Sequence, residues 1–237
     1  MNEFLAVSGG IIIASCLLTP LLVFGTYHFS GASLAKSAGI SAGVAVWGVV
    51  MYLVCTSWQF SPRVPGGSLG VSIFLAIHLM LPTMLVARNK QFFVGDGLNM
   101  RWLLVPHLFR FVGILFLLEA FNGQLGTVFS LVSGVGDIVA AAIAATLLLV
   151  LLTGGRIGSR PYMFLIVFGA TDFVIAFTLG AISAETYIQL IAIDEVHRVT
   201  HFPIGMIPFF LVPMVMAFHW LMFFSLRKQT NMAHDEA

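Results

Sequence analysis

Residues 128–152 read VFSLVSGVGDIVAAAIAATLLLVLL, with a single charged side chain, Asp137. About 20 mostly apolar residues cross the hydrocarbon core of a bilayer as one helix. This stretch is long enough, and it is too apolar to be an ordinary helix on the surface of a soluble domain. Six further runs read the same way, and together they predict spans at roughly 5–27, 38–58, 69–87, 102–122, 128–152, 161–183 and 203–226. The fold class is therefore all-α: a polytopic membrane helix bundle with about seven transmembrane helices. It forms one integral membrane domain over residues 1–237.

Composition supports this reading. Hydrophobic residues make up 59% of the 237 and charged residues 9%, against roughly 25% charged in soluble domains. The first partner is the lipid bilayer. A net charge of +1 with scattered basic residues excludes a nucleic-acid partner. Cys16 and Cys55 fall in apolar runs and read as small buried hydrophobes. No Lys or Arg precedes the first apolar run, so that run reads as a spanning helix and not as a secretory leader, although Ile13-Ala14-Ser15-Cys16 has some likeness to a lipoprotein cleavage box.

Turn chemistry separates the runs: Pro62 with Pro65-Gly66-Gly67, Gly95-Asp96-Gly97, Asn122-Gly123 and Gly154-Gly155. No gap is long enough for a soluble domain, so any chemistry belongs to the bundle or its surfaces. With the N-terminus outside, the inner segments hold Lys36, Arg88, Lys90, Arg101, Arg156, Arg160, Arg227 and Lys228, and the outer ones only Arg63 and Arg198. Positive charge marks the cytoplasmic side. The expected topology is N-terminus outside, C-terminus cytoplasmic, in a bacterial inner membrane.

Small residues allow close helix approach in lipid. Gly39 with Gly43, and Gly136 with Ala140 and Ala144, are the expected contact stripes. The last run carries Pro203, Pro208 and Pro213. Interior prolines remove backbone hydrogen bonds, so the carbonyls of Ile204 and Phe209 need other partners.

Titratable residues inside spans are expensive and face the bundle interior. Here they are His78, His107, Arg110, Glu119, Asp137, Asp172 and His219, all from the third to the seventh run. A rise of about 1.5 Å per residue places them in a staggered series. His107 and His219 lie about 10 Å from the cytoplasmic end, His78 and Arg110 about 13 Å, Asp172 about 16 Å, Asp137 about 22 Å and Glu119 about 27 Å, near the outer edge. Arg110 needs an anion at its depth. Asp137 and Asp172 are the acids within reach, and a buried Arg–Asp–Asp network is the expectation.

Two metal or cofactor readings follow from the histidines. Two of them on different helices can ligate a haem iron. In the long outer loop, Asp194, His197 and His201 would share one face of a helix in a metal-ligand arrangement, on a segment whose Ile188, Ile191 and Val196 would rest on the membrane. Neither cofactor is part of the leading reading.

Gly134-Val135-Gly136-Asp137 resembles the G-x-G-D signature of intramembrane aspartyl proteases, the presenilin, signal-peptide-peptidase and prepilin-peptidase families. The resemblance covers four residues and implies a catalytic pair, Asp137 with Asp172, sharing a proton to activate water. The order departs from those families, where the partner Asp precedes the motif, and their Pro-Ala-Leu motif is absent. Seven spans with an outer N-terminus also resemble microbial rhodopsins, but Lys36, Lys90 and Lys228 all lie outside the spans, which excludes a retinal Schiff base. The leading expectation is a multi-pass transport protein for a small solute, ion or proton, more a non-enzyme than an enzyme. The protease and a structural or haem-binding subunit are the alternatives.

Overall fold

In the computed structural model, residues 2–57, 67–95, 97–183, 190–191 and 198–235 are described. Among them all regular structure is helical and no strand occurs. Helix α1 (Asn2–His28) is followed by α2 (Leu34–Ser57), α3 (Gly67–Arg88) and the short α4 (Lys90–Val94). Next come α5 (Met100–Leu104) and α6 (Gly113–Phe121), joined by a 3-10 segment, Val105–Val112. Then follow α7 (Thr127–Leu152), α8 (Ser159–Ser183), a π-turn at Ile207–Leu211 and α9 (Val212–Asp235).

Six of these stretches are long and apolar enough to cross a membrane: Val7–His28, Leu34–Thr56, Met100–Phe121, Thr127–Leu152, Ser159–Ser183 and Ile207–Thr230. The protein is an integral membrane protein. The expected third span corresponds to α3, whose apolar part among the described residues, Ile73–Arg88, is shorter than the other six.

The last helix is the axis of the bundle. Of its apolar window 78% is buried, against 11% of the window in α2. Phe209, Phe210, Phe218 and Met222 are closed off around it, and α3, α8, α4 and α5 pack against it. On α7, Ala140 and Ala144 are fully buried, as their stripe predicts. Gly39 and Gly43 are not contact points. A side chain added at either would meet nothing within 4 Å, so this stripe faces away from the bundle.

The fourth span is not one continuous α-helix. Pro106 sits at the start of the 3-10 segment, where its missing N–H costs least. A 3-10 helix turns in 3.0 residues, so side chains three apart stand in line. That aligns His107 with Arg110, and both are buried.

One of the prolines of the last span is repaired locally: the Ile204 carbonyl accepts from the Ile207 N–H at 2.9 Å. The Phe209 carbonyl, orphaned by Pro213, lies beside the ring of His78.

Candidate functional site

Arg110 reaches from the 3-10 segment to both acidic helices. Its Nε donates to Asp137 Oδ1 on α7 at 2.7 Å, and its Nη2 donates to Asp172 Oδ2 on α8. All three residues are buried, Arg110 to 2% exposure. The guanidinium carbon lies 4.0 Å from the centre of the Phe173 ring, whose face carries partial negative charge and attracts the cation. The expected Arg–Asp–Asp network is thus assembled from three helical segments by one side chain. It is an arginine clamp on two carboxylates, and the guanidinium occupies the bridging position that the protease pair would leave to a proton and water.

Glycines make the approach feasible. A side chain on Gly136 would collide with Oδ1 of Asp172, so the second glycine of the G-x-G-D motif is the floor under the other carboxylate. The first glycine, Gly134, packs backbone to backbone on Gly113 of α6. On α8, a side chain at Gly169 would collide with His219 Nε2 and lie 2.6 Å from Arg110 Nη1. Both helices therefore carry a glycine one turn before the acid, as GVGD and GATD.

Next to the ion pairs, two unpartnered nitrogens converge over Gly169. His219 Nδ1 donates to the Val215 carbonyl at 2.9 Å, one turn back on its own helix. In the neutral ring this leaves a lone pair on Nε2. That atom is buried without a hydrogen bond, as is Nη1 of Arg110. The carbonyl of Leu165 lies beside the same ring, outside hydrogen-bond geometry. His107 meets His219 edge to face, with ring centres 4.4 Å apart. It is fully buried, and neither of its ring nitrogens has a hydrogen bond. Buried polar atoms without partners are rare, and each needs a reason.

The remaining expected residues lie elsewhere. His78 accepts from the Trp47 indole N–H at 3.0 Å and stacks on Phe74. These contacts, with the Phe209 carbonyl close by, make it a structural residue of the α2–α3 contact. Glu119 is no part of the Arg110 ion pairs. It is buried against α1, where it accepts from the Ser8 hydroxyl at 3.3 Å, and its second oxygen has no hydrogen bond. The contact between His107 and His219 leaves no room for a porphyrin plane between the two rings. Asp194 and His197 of the expected metal cluster, with Ile188 and Val196 of the expected surface helix, lie outside the described residues. His201 is exposed in a turn. Among the described residues no group of three or more His, Cys, Asp or Glu side chains is arranged to hold a metal ion.

Sequence reading did not find Gly169, the 3-10 alignment of His107 with Arg110, or the place of His78 beside the Phe209 carbonyl. A signal existed for each: the repeated G-x-x-D spacing, Pro106, and Pro213.

Residues 68–227 match the model of a family described as a domain of unknown function, DUF8737. No curated protein and no solved structure matches the chain.

Proposed function

The chain belongs to the DUF8737 family, and from that premise we propose that it carries a small solute or an ion across the membrane, using the cluster of Arg110, Asp137, Asp172, His107 and His219. In this reading α3 is a seventh crossing, the N-terminus is outside, the C-terminus is cytoplasmic, and the membrane is a bacterial inner membrane. The lysine and arginine distribution supports that topology.

The observation that carries the proposal is the clamp together with its three unpartnered nitrogen-bearing groups. A pair that only fixes helix register would be expected to close its hydrogen bonds, because each open one costs stability. Ionisable groups in the membrane that face one another and leave capacity free are the usual constituents of ion and solute paths. The matched region also runs from α3 to α9 and encloses every one of these residues, while α1 and α2 lie outside it. The protease is the weaker reading, because the Arg110 guanidinium bridges the two carboxylates where an attacking water would have to bind.

The test is flux in vesicles containing the purified chain, followed with dyes for protons, sodium, potassium and chloride and by light scattering for uncharged solutes. The expected result is flux of at least one species that Asp172→Asn abolishes while the variant remains monodisperse and helical. A folded wild-type chain that moves none of them, or an Asp172→Asn chain that moves them as well as wild type, would remove the reading.

A further inference from the structure

Two carboxylates and one guanidinium do not balance. With both histidines neutral, the buried cluster carries one net negative charge. Among the described residues Arg110 is the sole cation paired with either acid. Lys36 near the start of α2, Lys90 in α4 and Lys228 in α9 are paired with neither acid. An uncompensated charge inside a membrane bundle is costly, so a further unit of positive charge must complete the cluster.

The lining indicates which kind. Alkali and alkaline-earth cations take oxygen ligands. Beside the carboxylates this cluster presents Arg110 Nη1, which can only donate, and His219 Nε2, with the Leu165 carbonyl and the His107 ring next to the His219 imidazole. One carbonyl oxygen and a guanidinium edge make a poor cage for a metal cation, whereas a proton is held on a carboxyl group as a neutral O–H. We propose that the cluster is completed by one exchangeable proton, which enters and leaves through His219 and His107, so that the proton is the species handled at this site.

The transfer balances. Because His219 Nε2 has no hydrogen bond to either carboxylate, a water relays the proton. A carboxyl O–H bond of Asp137 or Asp172 breaks as that oxygen's proton passes to the water, and a water O–H bond breaks as a bond from its proton to His219 Nε2 forms. This leaves the carboxylate anionic, the imidazole cationic and the water unchanged. The charged ring then faces Arg110 Nη1 across Gly169. The proton passes on to His107, whose two open nitrogens give it a landing site, and His219 returns to neutral. The charged and titratable groups facing this path are Arg110 and His107 from the 3-10 segment, Asp137 from α7, Asp172 from α8 and His219 from α9.

This inference rests on the transport reading only for its purpose, and it is tested without transport. Infrared difference spectra of the full chain in lipid discs, between acid and neutral pH, report protonated carboxyl and imidazolium groups directly. The expected result is a carboxylic-acid band that Asp172→Asn or Asp137→Asn alters. Its deuterium exchange should slow at least tenfold in His219→Gln and His107→Gln, which leave the clamp charges in place and keep the test open if the Asp variants do not fold. Both carboxylates ionised and both imidazoles neutral throughout, with sodium or potassium raising the melting temperature of the wild-type chain, would mean that a metal cation completes the cluster and would overturn the proposal. An exchange rate unchanged in both His variants would overturn the path. Flux without a proton signal removes this inference and leaves transport standing. A proton signal without flux does the reverse.

Discussion

Helices α2 and α9 are of the same length and comparable hydropathy, yet they lead opposite lives. The apolar window of α2 is 11% buried, and that of α9 is 78% buried. Helix α2 runs as an unbroken α-helix with no Asp, Glu, His, Lys or Arg after Lys36. Helix α9 follows a π-turn, has prolines at and before its start, and brings His219 into the cluster. Irregular backbone and polar side chains are tolerated at membrane depth only where protein covers them. The centre of this bundle can therefore hold what its rim cannot.

That contrast can be broken most severely at Arg110. Arg110→Met leaves two buried carboxylates facing each other without a cation, and a cost of about 3–5 kcal/mol is expected, seen as a collapse of the melting temperature or of the monodisperse peak. Adding Asp137→Asn and Asp172→Asn to it should restore much of that loss, because no charge is then left unpaired. A triple variant as unstable as Arg110→Met would show that packing, and not charge, holds the site.

Gly169→Ala comes next. The added methyl collides with His219 and crowds Arg110, and about 1–3 kcal/mol is expected from overpacking, measured by thermal unfolding, with loss of any flux. His78→Phe leaves the Trp47 indole N–H without its acceptor, for about 1–3 kcal/mol, read from the same thermal unfolding. The smallest effect is expected at the rim. Gly43→Ala on α2 meets nothing and should leave the melting temperature unchanged within error, unless that face has a partner in the membrane.

Much of the fold could be read from hydropathy, because a helix in lipid has to be long and apolar. The ends of the runs 128–152 and 161–183 fall within two residues of α7 and α8. The partners of Arg110 were readable for a different reason. So few acids lie at its depth that elimination was enough. What failed was direction around a helix axis. Gly39 and Gly43 have the spacing of a contact stripe, but spacing does not say whether a neighbour is there. Glu119 is buried, as a titratable residue inside a span should be, but spacing did not show that it would meet Ser8 of α1 and stay apart from the Arg110 ion pairs. His107 and His219 lie 112 residues apart on different segments, and no local pattern announces that their rings touch.

The 3-10 segment also has a mechanical meaning. Its eight residues, Val105–Val112, rise about 2.0 Å each where an α-helix would rise about 1.5 Å. The fourth span is thus about 4 Å longer than its residue count requires, and its turns are wound more tightly. Relaxation into α-helix would shorten the rod and rotate Arg110 by about 60° relative to His107, drawing the guanidinium away from the two acids. The winding of this stretch and the direction in which Arg110 leaves it are thus one and the same setting, so the length of the fourth span and the ion pairs stand or fall together.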